Sequence, residues 1–157
     1  VLLHIQSRRK DAILMPKDLD RFSTKAEALV YIHAKYKCDP KCAEDILRDR
    51  IPKESYYQKK IMDYIKNAYP NSFVWKEAAG NYSRQGIPDV SAVIEGLYFG
   101  FEVKRPYFGV LSVIQEQTIK QINAAGGSAG VCVFPEDAER LIQEAEVRYN
   151  VRFKRNV

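Results

Sequence analysis

The chain has 157 residues, 46% of them hydrophobic, and 25 Lys and Arg against 20 Asp and Glu give a formal net charge of +5. This length suits one domain with a small appendage, and the apolar content is enough for a core. No run approaches the roughly 18 apolar residues of a membrane-spanning helix, no signal peptide is evident, and the three cysteines do not make a disulfide framework. We therefore exclude membrane-embedded and disulfide-stapled classes and expect a reducing, cytoplasmic setting.

The first part of the chain, residues 1–52, predicts a helical extension. Residues 1–22 are expected to be irregular, since a proline interrupts their polar stretch. Helices are predicted over 23–37 and 39–50, because a capping residue precedes each of them and the second has proline at its first position.

One histidine and two cysteines of this extension lie close together in the sequence. His33, Cys38 and Cys42 would supply three ligands, whereas a structural zinc site needs four. We therefore interpret the two cysteines as half-buried thiols of a helix hairpin.

Beyond this extension the chain alternates helices and strands. Helical segments repeat their apolar residues every three to four positions, and strand segments are short runs rich in β-branched and aromatic residues. The order predicts an α/β fold with one central sheet over residues 53–146, followed by a basic strand or arm over 147–157. The predicted segments are helix 53–70, strand 72–78, strands 88–95 and 97–104 about a tight turn at Glu95-Gly96, helix 112–127, strand 128–134 and a helix from Pro135.

Charged residues bound the second and third predicted strands. Asp89 stands where the second strand begins, six residues before Glu95, and Glu102 stands near the end of the third strand, six residues after Gly96. Pairing about the turn therefore sets the two acids opposite each other. Lys104 points to the same face as Glu102 because side chains alternate along a strand. We expect the three charged groups to converge at one end of the sheet.

This convergence fits metal-assisted hydrolysis of a phosphodiester. Two carboxylates repel each other unless a cation lies between them, and oxygen ligands with room for water suit Mg²⁺ or Mn²⁺. A neighbouring lysine can orient or deprotonate a water, or stabilise negative charge on a phosphoryl oxygen. Asp89, Glu102 and Lys104 are therefore the candidate catalytic residues.

The stretch "GIPDVSAVIEGLYFGFEVK" resembles the restriction-endonuclease-like nucleases, whose pattern is Pro-Asp, a hydrophobic spacer and Glu-x-Lys. More closely it resembles the VRR-NUC family. Three further features agree: Glu54 begins the preceding helix, Gly86 stands three residues before Asp89, and the following helix has a Ser112 cap, an early Gln115 and paired glycines at its end.

The resemblance covers residues 53–140 and implies a core of order α-β-β-β-α-β, with a central mixed sheet flanked by helices. It implies the standalone, often phage-encoded type, a homodimer that cuts branched DNA such as four-way junctions with Mg²⁺ or Mn²⁺. Such a protein would be located in the cytoplasm, or in the nucleus of a eukaryote.

The resemblance also implies a role for each site residue. Lys104 would orient or activate the attacking water. Gln115 would contact the scissile phosphate or a metal-bound water, with Gln117 of the same helix as the alternative. The implied metal ligands are Asp89, Glu102, the backbone carbonyl of Val103, and Glu54.

Polar and basic residues near this site are candidates for DNA contacts. The loop 80–87 precedes Asp89, and short polar and arginine side chains commonly contact phosphates. A dimer interface is expected in residues 1–50 or in the tail 147–155, because neither belongs to the minimal core. The candidate DNA contacts are Ser83, Arg84, Gln85, Lys76 and Arg105.

Two other functions remain open. A sequence-specific restriction enzyme would use the same core, although no recognition helix is evident. A non-catalytic nucleic-acid-binding module is disfavoured, because Asp89, Glu102 and Lys104 are all present.

Overall fold

The computed structural model describes residues 19–78, 80 and 83–156. Most of the predicted irregular segment and positions 81 and 82 of the polar loop lie outside the described residues. No helix in the described part of the chain is long and apolar enough to cross a membrane.

The chain divides into two compact units. We call the first the helical unit, formed by Val1–Pro52 with Arg105–Phe108. We call the second the sheet unit, formed by Lys53–Lys104 with Gly109–Val157.

Among its described residues, the helical unit has two helices, α1 (Lys25–Tyr36) and α2 (Pro40–Arg50). Each begins at a predicted cap: the side chains of Thr24 and Asp39 accept hydrogen bonds from the third helical nitrogen at 3.2 and 2.8 Å. The Tyr107 hydroxyl donates to backbone carbonyls near the start of this unit at 2.8 and 2.9 Å, which attaches the segment 105–108. The buried faces of the two helices meet through Ala28, Ile32, Ala43 and Leu47.

The sheet unit has the predicted order of elements and an α/β architecture. The four strands lie in the order β1-β2-β3-β4, with the first two pairings antiparallel and the last parallel, so the sheet is mixed. The elements are α3 (Glu54–Ala68), β1 (Ser72–Lys76), β2 (Val90–Ile94), β3 (Leu97–Val103), α4 (Val113–Ala124), β4 (Ser128–Cys132) and α5 (Pro135–Tyr149).

The β2–β3 hairpin has the predicted turn and register. Glu95 and Gly96 have φ angles of 47° and 90°, the left-handed pair that a two-residue turn needs. Val90 pairs with Phe101, so the ladder continued by one residue sets Asp89 opposite Glu102. The turn therefore fixes which charged residues face each other.

The core of the sheet unit lies between the strands and the helices. α3 packs against β1, β3 and α5, whereas α4 packs against β3 and β4. Burial of large apolar side chains in these contacts is the main stabilising term. Fully buried examples are Tyr57, Ile61, Ile65, Phe99, Phe101 and Ile142.

The C-terminal tail differs from the basic strand or arm predicted over 147–157. Helix α5 continues through Tyr149, and the following described residues form no strand. Phe153 is buried against Phe99, with ring centroids 5.9 Å apart, and Arg155 forms ion pairs with two glutamates of α5 at 2.7 and 2.9 Å. The alternating pattern was misleading because it marks an exposed helical turn followed by an anchored segment.

Candidate active site

Asp89 is held at the beginning of β2 by the two neighbouring strands. Its backbone oxygen accepts from the nitrogen of Glu77, just beyond β1, at 2.9 Å. Its side-chain Oδ2 accepts from the nitrogen of Val103 in β3 at 3.0 Å. These bonds fix the carboxylate beside the end of β3, where the sequence predicted it.

Glu102 is fully buried, although it is an acid. Its Oε1 accepts from Lys104 Nζ at 2.8 Å and from the amide of Gln115, while its Oε2 has no hydrogen-bond partner among the described residues. Burial raises the pKa of Glu102 to about 7; the charges of Asp89 and Glu54 raise it as well, and Lys104 opposes the rise. A buried acid with one unsatisfied oxygen is a group that still needs a partner.

Lys104 is nearly buried beside this acid, with 12% of its side chain exposed. Besides Glu102, its ammonium donates to Gln115 Oε1 at 3.2 Å. An ammonium has three N–H donors, and these two contacts leave one for a further oxygen.

Gln115 connects the acid and the lysine through helix α4. Its amide contacts Glu102, and its Oε1 accepts from both Lys104 and the backbone nitrogen of Ser112. The Ser112 hydroxyl accepts from the nitrogen of Gln115 at 3.2 Å, which completes a capping box. Gln117 is exposed, so Gln115 is the glutamine that reaches Glu102.

Glu54, the first residue of α3, is half-buried. Its charge contributes to the raised pKa of Glu102, which brings it within electrostatic reach of the other acids. Hydrogen bonds thus join Glu102, Lys104 and Gln115, and the negative charges of Asp89 and Glu54 act on Glu102.

The donor set fits a hard divalent cation. Among the described residues, no three His, Cys, Asp or Glu side chains form a ready metal-binding group. The negative charge of Asp89 nevertheless raises the pKa of Glu102, and Glu102 Oε2, which has no hydrogen-bond partner among the described residues, is an oxygen that could bind a cation. Two carboxylates with one backbone carbonyl and waters would suit Mg²⁺.

Glu77 is a neighbour of this site that the sequence did not predict. Lys76 pairs with Val90, so Glu77 lies across from Asp89. Its Oε1 accepts from Trp75 Nε1 at 2.6 Å and from Ser91 Oγ at 3.3 Å. Its position follows only from the β1–β2 register, which the sequence did not reveal.

A cleft of about 510 Å³ opens beside Asp89. Three residues that the sequence suggested as DNA contacts, Ser83, Arg84 and Gln85, line it. Arg84 also donates to Gln121 of α4 at 3.3 Å. Gly86 closes one wall of the cleft.

The two other predicted DNA contacts lie elsewhere. Lys76 is exposed at the end of β1 and does not line the cleft. Arg105 belongs to the helical unit, where its guanidinium donates to the backbone carbonyls of Arg48, Ile51 and Pro52. The cleft therefore belongs to the sheet unit and Arg105 to the helical unit.

No family model, curated protein or solved structure matches this chain.

Proposed function

We propose that the chain is a Mg²⁺-dependent, structure-selective DNA endonuclease with its active site at Asp89, Glu102, Lys104 and Gln115. The observation that carries the proposal is the buried Glu102 carboxylate, whose Oε1 binds Lys104 and Gln115 while its Oε2 has no partner among the described residues. An ion pair of this kind contributes little net stability, because desolvation offsets the attraction. A catalytic role would account for the presence of this buried ion pair.

The acids would hold the metal. Asp89 and Glu102 would be the carboxylate ligands, joined by the carbonyl of Val103, and Glu54 would bind the cation directly or through a water. A bound Mg²⁺ supplies Lewis-acid polarisation of a phosphoryl oxygen and a lowered pKa of bound water. The raised pKa of Glu102 means that this acid must lose its proton before it becomes a ligand.

Lys104 would act on the reacting atoms, and Gln115 would position Lys104. The third N–H of the Lys104 ammonium donates to the attacking water or to a phosphoryl oxygen, where negative charge develops. Gln115 keeps the lysine in place through its Oε1, which lies 3.2 Å from Nζ. The capping box in turn fixes Gln115 on rigid backbone.

The fold and the cleft support DNA as the substrate. The order α-β-β-β-α-β with a mixed sheet is the one expected of a restriction-endonuclease-like core of the VRR-NUC kind. The cleft beside Asp89 is lined by Ser83, Arg84 and Gln85, whose side chains suit phosphate oxygens, and the net charge is +5. On this proposal the acting species is a homodimer that makes paired incisions in a four-way junction.

A cleavage assay tests the proposal. Labelled four-way junction, flap and linear duplex are incubated with the protein in Mg²⁺, in Mn²⁺ or in EDTA. We expect Mg²⁺-dependent incision of the branched substrates in preference to the duplex. Cutting of linear duplex at one sequence would instead favour a restriction enzyme. Binding of DNA without incision in either Mg²⁺ or Mn²⁺ would refute the nuclease and favour a binding module.

A further inference from the structure

Three positive side chains surround one aromatic ring in the helical unit. The Nζ of Lys25 and the Cζ atoms of Arg48 and Arg105 lie 4.9, 4.5 and 5.2 Å from the ring centroid of Phe108. We call these three side chains the Phe108 cation cluster. A single ring attracts cations through its face, but it does not remove the repulsion between them.

Arg105 is the fixed member of the cluster. Its Nε donates to Pro52 O at 2.9 Å, and its Nη2 donates to Ile51 O at 2.5 Å and to the carbonyl of Arg48. These carbonyls lie in the last turn of α2 and just beyond its end, where the helix dipole favours a positive group. Within the described residues, Nη1 makes no hydrogen bond, so one edge of the guanidinium keeps its donors.

The other two cations share one carboxylate. Glu44 Oε1 lies 2.7 Å from Lys25 Nζ and 3.4 Å from Arg48 Nη2, and these positive neighbours lower the pKa of Glu44, the hydrogen bond with Lys25 first. Among the described residues, Glu44 is the carboxylate that pairs with Lys25 and Arg48, whereas the hydrogen bonds of Arg105 go to backbone carbonyls, so the three positive side chains around the ring have one paired acid between them. Arg48 is 57% exposed and Lys25 36%, so an anion can reach both.

We propose that the Phe108 cation cluster binds a backbone phosphate of the DNA substrate. Planar guanidinium groups match phosphate oxygens in geometry, and a pre-ordered Arg105 loses little freedom on binding. Arg105 directly follows Lys104 in the chain, so the cluster is covalently joined to the candidate catalytic strand. This inference rests on the proposed function, because DNA is the anion that the nuclease would meet.

Salt-dependent DNA binding tests the cluster. Affinity of the full chain for a labelled four-way junction is measured in EDTA over a range of salt concentrations. Arg48→Gln and Lys25→Gln remove cluster charges, whereas Arg140→Gln is the matched control. Arg140 is 66% exposed and also pairs with an acid one helical turn away, Asp137. Glu44→Gln removes the neutralising carboxylate and should act in the opposite direction.

Each cluster variant should reduce the slope of log K against log salt by about 1 and weaken binding roughly five-fold at 0.15 M salt. Arg140→Gln should match the wild type, and Glu44→Gln should bind DNA more tightly. Wild-type slope and affinity in both cluster variants would overturn the inference, as would an absence of DNA binding by the wild type. Cleavage in Mg²⁺ is scored separately. If the wild type cuts DNA and Arg48→Gln and Lys25→Gln both bind it normally, the nuclease proposal stands and the cluster inference is refuted. If the wild type binds DNA without cutting it and the cluster variants bind it more weakly, only the nuclease proposal is refuted.

Discussion

The ammonium of Lys104 lies 2.8 Å from the carboxylate of Glu102, two residues away on the same strand, and the two side chains are only 12% and 1% exposed. Burial nevertheless raises the pKa of Glu102 to about 7, so the lysine only partly compensates for the loss of water. The Glu102 carboxyl group therefore titrates near physiological pH.

Removing either acid should abolish catalysis without unfolding the protein. Asp89→Asn keeps an acceptor for the nitrogen of Val103, and Glu102→Gln keeps one for Lys104, but each loses the charge that holds the cation. We expect Mg²⁺-dependent incision to fall by about 10²-fold or more, with DNA binding retained or strengthened. Glu116→Gln, on the exposed side of α4, is the control and should cut normally. Normal cutting by either site variant would refute the assignment.

The metal-free protein should lose stability as pH rises through the titration of Glu102. The pKa of this acid is about 7 in the folded state and near 4.5 when unfolded, so the native state holds more protons between these values. The free energy of unfolding therefore falls across this window, by about 1–3 kcal/mol for this group. Denaturant unfolding in EDTA at pH 5 and pH 8 measures the change. In Glu102→Gln the free energy of unfolding should lack the part of this fall that Glu102 contributes. An identical pH dependence in the two proteins would contradict the prediction.

Mg²⁺ should stabilise the wild type more at pH 8 than at pH 6. The cation binds the ionised acid, so at the lower pH it must displace a proton from Glu102. At 100-fold excess over Kd the gain is about 2.7 kcal/mol, visible as a rise in Tm. A double variant, Asp89→Asn with Glu102→Gln, should show no such rise. If its Tm responds to Mg²⁺ like that of the wild type, the cation binds elsewhere.

Lys104→Ala should lower turnover by about 10²-fold, because the lost ammonium acts on the transition state. Incision is best measured with saturating Mg²⁺ over a range of alkaline pH, because Lys104 opposes the rise in the pKa of Glu102 and its removal raises that pKa further. Lys120→Ala removes an exposed lysine that pairs with Glu116 and serves as the control. Full turnover combined with weakened Mg²⁺ binding would reassign Lys104 to a structural pairing.

Gly86→Ala should destabilise the sheet unit. Gly86 has a φ of +81°, and a Cβ there would lie 2.5 Å from Ile114 Cγ2 and 2.9 Å from the Thr118 hydroxyl. We expect a loss of about 1–3 kcal/mol in the free energy of unfolding. Gly80→Ala is the control, because no atom of the described residues lies within 4 Å of its Cβ position. Equal stability of the two variants would show that the loop shifts without penalty.

Local chemistry in the sequence determined the order of the elements and the pairing of β2 with β3. Capping residues such as Ser112 act within one turn, and the Glu95-Gly96 turn sets the register over the strands it joins. Since that register carries Asp89 to the end of β3, the acidic pair could be predicted from spacing alone.

Long-range packing decided what spacing could not. The position of Glu77 depends on the pairing of β1 with β2 across an intervening loop, and the contact of Gln115 with Glu102 depends on how α4 lies on the sheet. The tail was mistaken for a strand or arm because an alternating pattern does not reveal that Phe153 finds a buried site against Phe99. Burial also sets the pKa of Glu102, since the desolvation of a carboxylate depends on all the atoms that surround it in the folded chain.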